Sequence, residues 1–208
     1  MKRCPRLGNY VGITGTPGAG KKTIAPLVAS QMSLPCISLY EQAVLSRLIK
    51  KDDPDAEVDT FALGKFLAKH ASGPALIQGH LLPYVLGGRD LRKVAVLRCE
   101  PTTLKRRLVA RGYGPEKVVE NVEAELIGVL SAASISAFGS KKVAEFDATA
   151  SEPAATANAI SEFLKGSGDA GPVIDWTFSY DSASKLRSLL SVCGSQVQPL
   201  RLGPWPDR

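Results

Sequence analysis

Short apolar runs alternate along the chain with longer segments of helical periodicity. The run at residues 93–98, for example, is almost continuously apolar, which is typical of a strand buried on both faces of a sheet. Similar runs, or β-rich stretches that end at a turn, recur along the chain and also predict strands. The five predicted strands span residues 9–14, 34–39, 74–78, 93–98 and 143–147.

Helical segments separate these strands. In the first of them Ile24, Leu27, Val28 and Met32 recur at helical spacing, and Pro26 stands near the helix start, where a missing N–H costs least. Strands that alternate with helices predict an α/β fold with a five-stranded parallel sheet and helices on both faces. The predicted helices span residues 20–32, 41–49, 58–69, 101–110, 115–133 and 152–165.

The pattern weakens after residue 165. Residues 166–172 are rich in glycine, which is typical of a linker, and residues 182–190 favour one more helix. We therefore divide the chain into a domain at residues 1–165 and a C-terminal extension at residues 166–208. The sequence indicates no role for the extension.

Composition is that of a soluble globular protein, with 44% hydrophobic and 22% charged residues. No apolar run approaches the roughly 20 residues that span a bilayer, and no apolar stretch follows Lys2, Arg3 and Arg6, so neither membrane association nor a secretory signal is expected. The cysteines lie far apart without Cys-x-x-Cys spacing, which predicts free thiols in a reducing compartment and a cytoplasmic protein. They are Cys4, Cys36, Cys99 and Cys193.

The chain is basic, because 26 Lys and Arg residues exceed 20 Asp and Glu residues and give a formal charge of +6. This excess suits a polyanionic ligand or partner such as a nucleotide or RNA. It is equally compatible with a soluble basic protein that has no such partner, since net charge does not locate a binding surface.

A glycine-rich loop between the first strand and the first helix carries the clearest chemistry. In this arrangement backbone N–H groups and the helix N-terminus form a pocket for anions, and Lys21 reaches the β- and γ-phosphates of a bound triphosphate. We predict that the phosphates of ATP bind at Gly15, Gly18, Ala19, Gly20, Lys21, Lys22 and Thr23. The alternative, a glycine-rich turn without a ligand, is disfavoured by the flanking strand and helix.

The end of this loop departs from the general phosphate-binding motif. That motif places a hydroxyl directly after the lysine, whereas here Lys22 follows Lys21 and the hydroxyl comes one place later, at Thr23. The pattern Gly-x-Pro-Gly-x-Gly-Lys-x-Thr resembles the loop of adenylate kinases. Thr23 is the candidate Mg²⁺ ligand.

A second block of residues makes the resemblance more specific. Arg111-Gly112-Tyr113, followed by Lys117 and by residues 120–125, and preceded by Gln78-Gly79-His80, resembles the atypical adenylate kinases of the isoenzyme 6 family over residues 8–165. The resemblance implies a P-loop, nucleoside-monophosphate-kinase-like fold with a short lid. It also implies the reaction ATP + AMP = 2 ADP, ATPase activity and a role in small-ribosomal-subunit maturation and rRNA processing.

The resemblance further assigns parts of the chain to steps of the reaction. Residues 38–61 would form the monophosphate-binding excursion, and residues 110–120 would form the lid, in which Arg111 contacts the nucleotide. A mobile basic turn can close over phosphates and stabilise the charge on the transferred group. Further cations flank this turn, although a single exposed cation is more often a solvated helix end. They are Lys105, Arg106, Arg107 and Lys117.

Gln78 and His80 end the third strand, where ligands bind in open α/β sheets. The family places an acid two residues before the histidine, so His80 fits and Gln78 departs. Loss of that acid and gain of Lys22 predict weak dependence of nucleotide binding on Mg²⁺. We expect Lys21 and Arg111 to be the main catalytic residues and His80 to orient the attacking group.

Three functions remain open from the sequence. The first is a broad-specificity nucleoside monophosphate kinase with ATPase activity that acts on ATP and AMP. The second is a ribosome assembly factor switched by nucleotide, with little net kinase activity, whose implied partners are the small-subunit ribosomal protein uS11 and pre-ribosomal RNA. The third is a kinase for another small molecule, because P-loop kinases share this architecture.

Overall fold

A computed structural model describes residues 10–50, 57–71, 73–149, 152–168 and 171–191. Cys4 and Cys193 lie outside these ranges, as does part of the predicted monophosphate-binding excursion. Cys36 is exposed and Cys99 is buried, and both are free thiols. Within the described residues no helix has the length and apolar character needed to cross a membrane.

Five strands form one parallel sheet in the order β2-β3-β1-β4-β5. This arrangement confirms the predicted α/β fold, with β1 at the centre. The strands are β1 (Tyr10–Gly15), β2 (Cys36–Ser38), β3 (Leu76–Gln78), β4 (Leu91–Arg98) and β5 (Val143–Asp147). The helices are α1 (Lys21–Gln31), α2 (Leu39–Leu45), α3 (Thr60–His70), α4 (Leu82–Val85), α5 (Pro101–Ala110), α6 (Pro115–Leu126), α7 (Val129–Phe138), α8 (Pro153–Lys165) and α9 (Ala183–Leu190).

Helices cover both faces of the sheet, as the apolar strands predict. On one face Ile13 and Leu97 pack in a core with residues of α1, α5, α6, α8 and α9. On the other, Ile77 and Val96 pack with residues of α2, α3, α4 and α7. Burial of both faces is the reason why the strands are almost continuously apolar.

The predicted helix at residues 115–133 is wrong, because the structure contains two helices there. Gly128 separates α6 from α7 with a φ of +69°, a left-handed conformation that only glycine adopts without strain. A Cβ at Gly128 would also lie 3.4 Å from the guanidinium of Arg98. The short helix α4 was not predicted, since its four residues are too few to show a period.

The ends of other elements differ by a few residues because side chains cap the helices. Leu39 was predicted within a strand, but it is the first residue of α2, because the hydroxyl of Ser38, at the end of β2, accepts the N–H of Glu41. Asp59 was predicted within a helix, but its carboxylate accepts the N–H of Ala62 at 2.9 Å and makes Thr60 the first helical residue. Such caps satisfy helix N–H groups that have no partner within the helix.

Candidate nucleotide-binding site

The phosphate loop connects the carboxyl end of β1 with the N-terminus of α1. Gly15 has a φ of +143°, and a Cβ on it would lie 2.4 Å from the carbonyl oxygen of Leu97, so only glycine fits beside β4. The N–H of Ala19 donates to the carbonyl of Thr16 at 3.0 Å and closes the loop. Gly20 caps α1 without a side-chain acceptor, which leaves the helix N-terminus available to an anion.

Lys21 lies across the loop, and no carboxylate within the described residues bonds to it. Its Nζ donates to the carbonyl oxygens of Gly15 at 2.5 Å and Thr16 at 3.0 Å. Burial lowers the pKa of Lys21 to about 7; the charge of Glu125 opposes this shift, and those of Arg111 and Lys22 add to it. Two carbonyls compensate an ammonium group only in part, so this cation is suited to a phosphate.

Arg111 lies at the C-terminal cap of α5, in the turn that leads to α6. Its side chain is exposed and makes no hydrogen bond or ion pair within the described residues. Arg111 nevertheless lowers the pKa of Lys21, so the two charges interact across the mouth of the loop. Arg111 is thus near enough to the phosphate loop for its charge to act on Lys21, although the two residues are far apart in the sequence.

The other basic residues beside this turn do not join Arg111. The Nζ of Lys105 donates to the carbonyls of Ser188 and Ser191, at 3.0 and 2.5 Å, and so holds α9 against α5. Arg107 donates to the carbonyls of Ala148 and Thr149 on the opposite side of α5. The prediction that these cations gather around one turn is therefore wrong for Lys105 and Arg107.

Two more cations flank the turn. Arg106 donates to the hydroxyl of Thr103 on its own helix at 3.1 Å. Lys117 pairs with Glu120 at 2.8 Å, and its charge still contributes to lowering the pKa of His80. Lys117 therefore stays near the mouth of the loop, while Arg106 is occupied within α5.

Gln78 and His80 approach the loop from the end of β3. The N–H of Gly79 donates to the carbonyl of Ile13 at 3.1 Å and fixes this end of β3 beside β1. His80 is exposed, yet its pKa is lowered to about 4, first by desolvation and then by the charges of Lys21 and Lys117, which disfavour the imidazolium. The imidazole of His80 is therefore neutral at physiological pH.

The side chain of Gln78 is 8% exposed and makes no hydrogen bond within the described residues. Gln78 occupies the end of a strand next to the phosphate loop, where ligands bind in this class of sheet. Its amide is thus available to a ligand or to water.

Lys22 and Thr23 are exposed in the first turn of α1. The Nζ of Lys22 lies 5.6 Å from the centroid of the Tyr40 ring, at the start of α2. Magnesium takes oxygen ligands and in such sites uses one or two protein groups plus phosphate oxygens. The hydroxyl of Thr23 and the amide oxygen of Gln78 fit this chemistry, and no cluster of acidic, His or Cys side chains that could hold a metal occurs in the described residues.

A buried polar network behind the loop was not predicted. The hydroxyl of Thr16 donates to the carboxylate of Glu125 at 2.5 Å. Arg98 pairs with Glu125 and with Glu145, each at 2.8 Å. Two charged residues in apolar strands were the sequence signal for this network. Arg98 ends its strand, and Glu145 lies inside its strand.

Comparison with known proteins places this site in a family. The family model described as an AAA domain matches residues 11–128. A protein of Thermococcus gammatolerans named "Putative adenylate kinase" is 34% identical over 82% of this chain and 94% of its own length. A protein of the same name from Pyrococcus furiosus is 34% identical over 82% of this chain and 93% of its own length. Another, from Natronomonas pharaonis, is 36% identical over 75% of this chain and 90% of its own length.

Two solved structures with similarity to this chain are named as kinases. A shikimate kinase from Bacteroides thetaiotaomicron is 17% identical over 76% of this chain and 98% of its own, with a TM-score of 0.48. A gluconokinase from Sinorhizobium meliloti is 19% identical over 79% and 94%, with a TM-score of 0.49. By its match to the AAA-domain model and to the archaeal relatives, the chain belongs to a family of P-loop adenylate kinase homologues.

Proposed function

We propose that the protein transfers a phosphoryl group from ATP to AMP and also hydrolyses ATP. The observation that supports this most directly is the meeting of Lys21 and Arg111 at the phosphate loop. Neither cation is paired with a carboxylate in the described residues. Cations without counter-ions beside a phosphate loop are the groups that stabilise charge in phosphoryl transfer.

Each residue has a defined part in this proposal. The loop amides and Lys21 hold the β- and γ-phosphates, and Lys21 exchanges its carbonyl partners for phosphate oxygens. Arg111 stabilises the charge that develops on the transferred group, from the turn that acts as the lid. His80 is neutral and accepts or donates a hydrogen bond to orient the attacking hydroxyl or water.

The acceptor would bind between the loop and the excursion at residues 38–61. Ser38, the first residue of this segment, ends β2 and caps α2. The cation–π contact between Lys22 and Tyr40 places α2 beside the N-terminus of α1. The acceptor phosphate would thus approach the N-terminus of α1 near Lys22. Such an approach would bring the two nucleotides together beside the phosphate loop.

A magnesium ion, when bound, would neutralise part of the charge of the phosphates. Thr23 and Gln78 would hold it, and because Gln78 carries no charge we expect weak dependence of ATP binding on Mg²⁺. Gln78→Asp should make the metal bind more tightly, because it adds a carboxylate. The Mg²⁺ concentration that gives half-maximal ADP formation should therefore fall. An unchanged metal requirement in Gln78→Asp would contradict this role.

The deciding experiment compares acceptors. ADP formation from ATP is measured with a panel of nucleoside monophosphates, while phosphate release is followed in parallel. Acceptor-dependent formation of two diphosphates supports the kinase, with AMP expected to be used best. Phosphate release that no acceptor changes would leave only the ATPase.

A nucleotide-switched role in small-subunit maturation is the second candidate, supported by the excess of 26 basic over 20 acidic residues and by the resemblance of the sequence. In that case the partners would be uS11 and pre-ribosomal RNA. Stimulation of AMP-independent hydrolysis by purified uS11 would favour this role. Hydrolysis that uS11 does not alter would argue against it.

A further inference from the structure

We propose that Glu125 is a positioning residue of the phosphate loop and that residues 174–176 of the C-terminal extension hold it in place. The inference rests on the ATP binding included in the proposed function. It assigns a role to a residue outside the cluster of cations and to a segment for which the sequence indicated none.

The two oxygens of the Glu125 carboxylate have different tasks. Oε1 accepts from the Nε of Arg98 at 2.8 Å, the N–H of Cys99 at 3.0 Å and the indole N–H of Trp176 at 3.3 Å. Oε2 accepts from the hydroxyl of Thr16 at 2.5 Å. The three donors on Oε1 fix the carboxylate, and Oε2 is directed at the phosphate loop. Glu125 is 2% exposed, so water does not compete for these bonds.

Arg98 fixes this carboxylate further because its guanidinium is almost fully used. Its Nη2 donates to the backbone carbonyl of Glu125, and its Nη1 donates to Glu145, both at 2.8 Å. Planar guanidinium donors in such an array allow little rotation. The position of the Glu125 side chain is therefore set from the sheet, through β4 and β5.

The C-terminal extension completes the same network. The N–H of Ile174 donates to Glu145 at 2.5 Å, and the carbonyl of Ile174 accepts from Arg98 at 2.9 Å. Trp176 supplies the third donor to Glu125. Without residues 174–176 the two buried carboxylates and the buried guanidinium would each lose a partner, which is costly in a low-dielectric interior.

Two further contacts hold the extension at this place. The hydroxyl of Tyr180 bonds to Glu100 and to Thr102 at the start of α5. Leu189 of α9 is 4% exposed and belongs to the core. The segment at residues 171–191 is thus packed against the domain that carries the loop.

Thr16 transmits the position of Glu125 to the phosphate site. Its side chain donates to Glu125, while its carbonyl accepts from the Nζ of Lys21 at 3.0 Å and from the N–H of Ala19 at 3.0 Å. When Lys21 turns to a phosphate, the bond to Glu125 still holds Thr16. The loop therefore keeps the shape that presents its amides to the nucleotide, which is pre-organisation of the binding site.

The test compares two buried threonines on either side of the loop start. Thr16→Val removes the hydroxyl that Glu125 accepts and leaves the pair of Arg98 and Glu125 intact. Thr14→Val is the matched control, because the hydroxyl of Thr14 is buried without a partner in the described residues. The full-length chain is used, and ATP affinity is measured by calorimetry beside thermal unfolding.

We expect Thr16→Val to weaken ATP binding about tenfold, the effect of one charge-assisted hydrogen bond. Thr14→Val should bind as the wild type does, and Thr16→Ser should restore most of the affinity. Equal affinities in Thr16→Val and the wild type, or failure of Thr16→Ser to restore binding, would overturn the proposal. A loss of thermal stability in Thr16→Val with unchanged affinity would do the same, since the role would then be only structural.

The indole of Trp176 gives a second readout. In a Trp205→Phe background Trp176 is the remaining tryptophan. ATP should change the fluorescence of Trp176, because Glu125, which accepts from its indole, also holds the phosphate loop through Thr16. Thr16→Val should abolish that change at saturating ATP, and its persistence would contradict the coupling. If the wild type binds ATP but does not phosphorylate AMP, the proposed kinase function fails while this inference stands.

Discussion

Two groups of charges lie on opposite sides of the phosphate loop and differ in how they are compensated. On the inner side Arg98 is buried between Glu125 and Glu145, and every charge has an opposite charge beside it. On the outer side Lys21 has only carbonyl partners and Arg111 has none in the described residues. The inner group holds the loop in place, whereas the outer group has binding capacity left for an anion.

This difference has an energetic basis. A buried ion pair gains its attraction in a low-dielectric interior, but loss of one partner leaves an uncompensated charge there. An unpaired cation at the edge of a binding site is partly desolvated, which is unfavourable, and a bound phosphate offsets that desolvation. Substitutions in the inner group should therefore affect stability first, and substitutions in the outer group should affect turnover.

The largest effect is expected at Arg98. Arg98→Met keeps most of the volume but leaves two buried carboxylates without a cation. The free energy of unfolding should fall by about 3–5 kcal/mol, measured by denaturation with urea. A loss below about 1 kcal/mol would show that the inner group does not support the fold.

Lys21→Met should have the next largest effect, this time on turnover. It removes the cation that faces the phosphates, so ADP formation should fall by about 10²–10³-fold. The free energy of unfolding should not fall, because burial disfavours the charged lysine in the empty site. Lys141→Met, at an exposed position, is the control for loss of a lysine.

A large loss of stability in Lys21→Met would break the division between the two groups. It would mean that the bonds from Nζ to the loop carbonyls, at 2.5 and 3.0 Å, support the fold. Undiminished turnover in Lys21→Met would instead contradict the proposed role in phosphoryl transfer.

Arg111→Ala should lower turnover less, by about tenfold to a hundredfold, because its charge is exposed and, in the proposed mechanism, acts when the lid turn closes. Arg106→Ala is the matched control on the same helix, since its guanidinium donates to Thr103 and should not reach the nucleotide. Steady-state rates of ADP formation distinguish the two variants. Equal losses in both would indicate a general effect of surface charge.

The sequence predicted the outer group better than the inner one, for a physical reason. Lys21 lies in a loop whose strand and helix are adjacent in the chain, so a local pattern identifies it. Thr16 and Glu125 are 109 residues apart, and they meet only because β1 lies beside β4 and α6 packs over their ends. Periodicity does not report such a pairing.

The same reasoning explains the elements that were misplaced. The strands were identified because burial on both faces makes them apolar. The break between α6 and α7 was missed because Ile127 and Gly128 interrupt a helical period for only two residues. Lys105 and Arg107 were grouped with Arg111 because the three lie close together in the sequence. Their actual partners are backbone carbonyls distant in the chain, which helical spacing does not reveal.

The smallest expected effect is on the dependence of stability on pH, through the protonation of Lys21 in the outer group. The pKa of Lys21 is about 7 in the empty site, below its ordinary value of about 10.5. Between these two pH values the unfolded chain binds the proton that the folded chain lacks. The contribution of Lys21 to stability should thus become more favourable as pH rises from about 7 to about 10.5.

ATP should reverse this shift, because phosphate charge favours the ammonium form of Lys21. At pH 8, binding of ATP should therefore take up close to one proton, about 0.9 if the pKa rises well above 8. Calorimetry in two buffers with different ionisation enthalpies measures this uptake, and Lys21→Met should remove it. Arg106→Ala should retain it, because that cation lies outside the mouth of the loop. Uptake that persists in Lys21→Met would assign the proton to another group and would leave Lys21 charged before the nucleotide arrives.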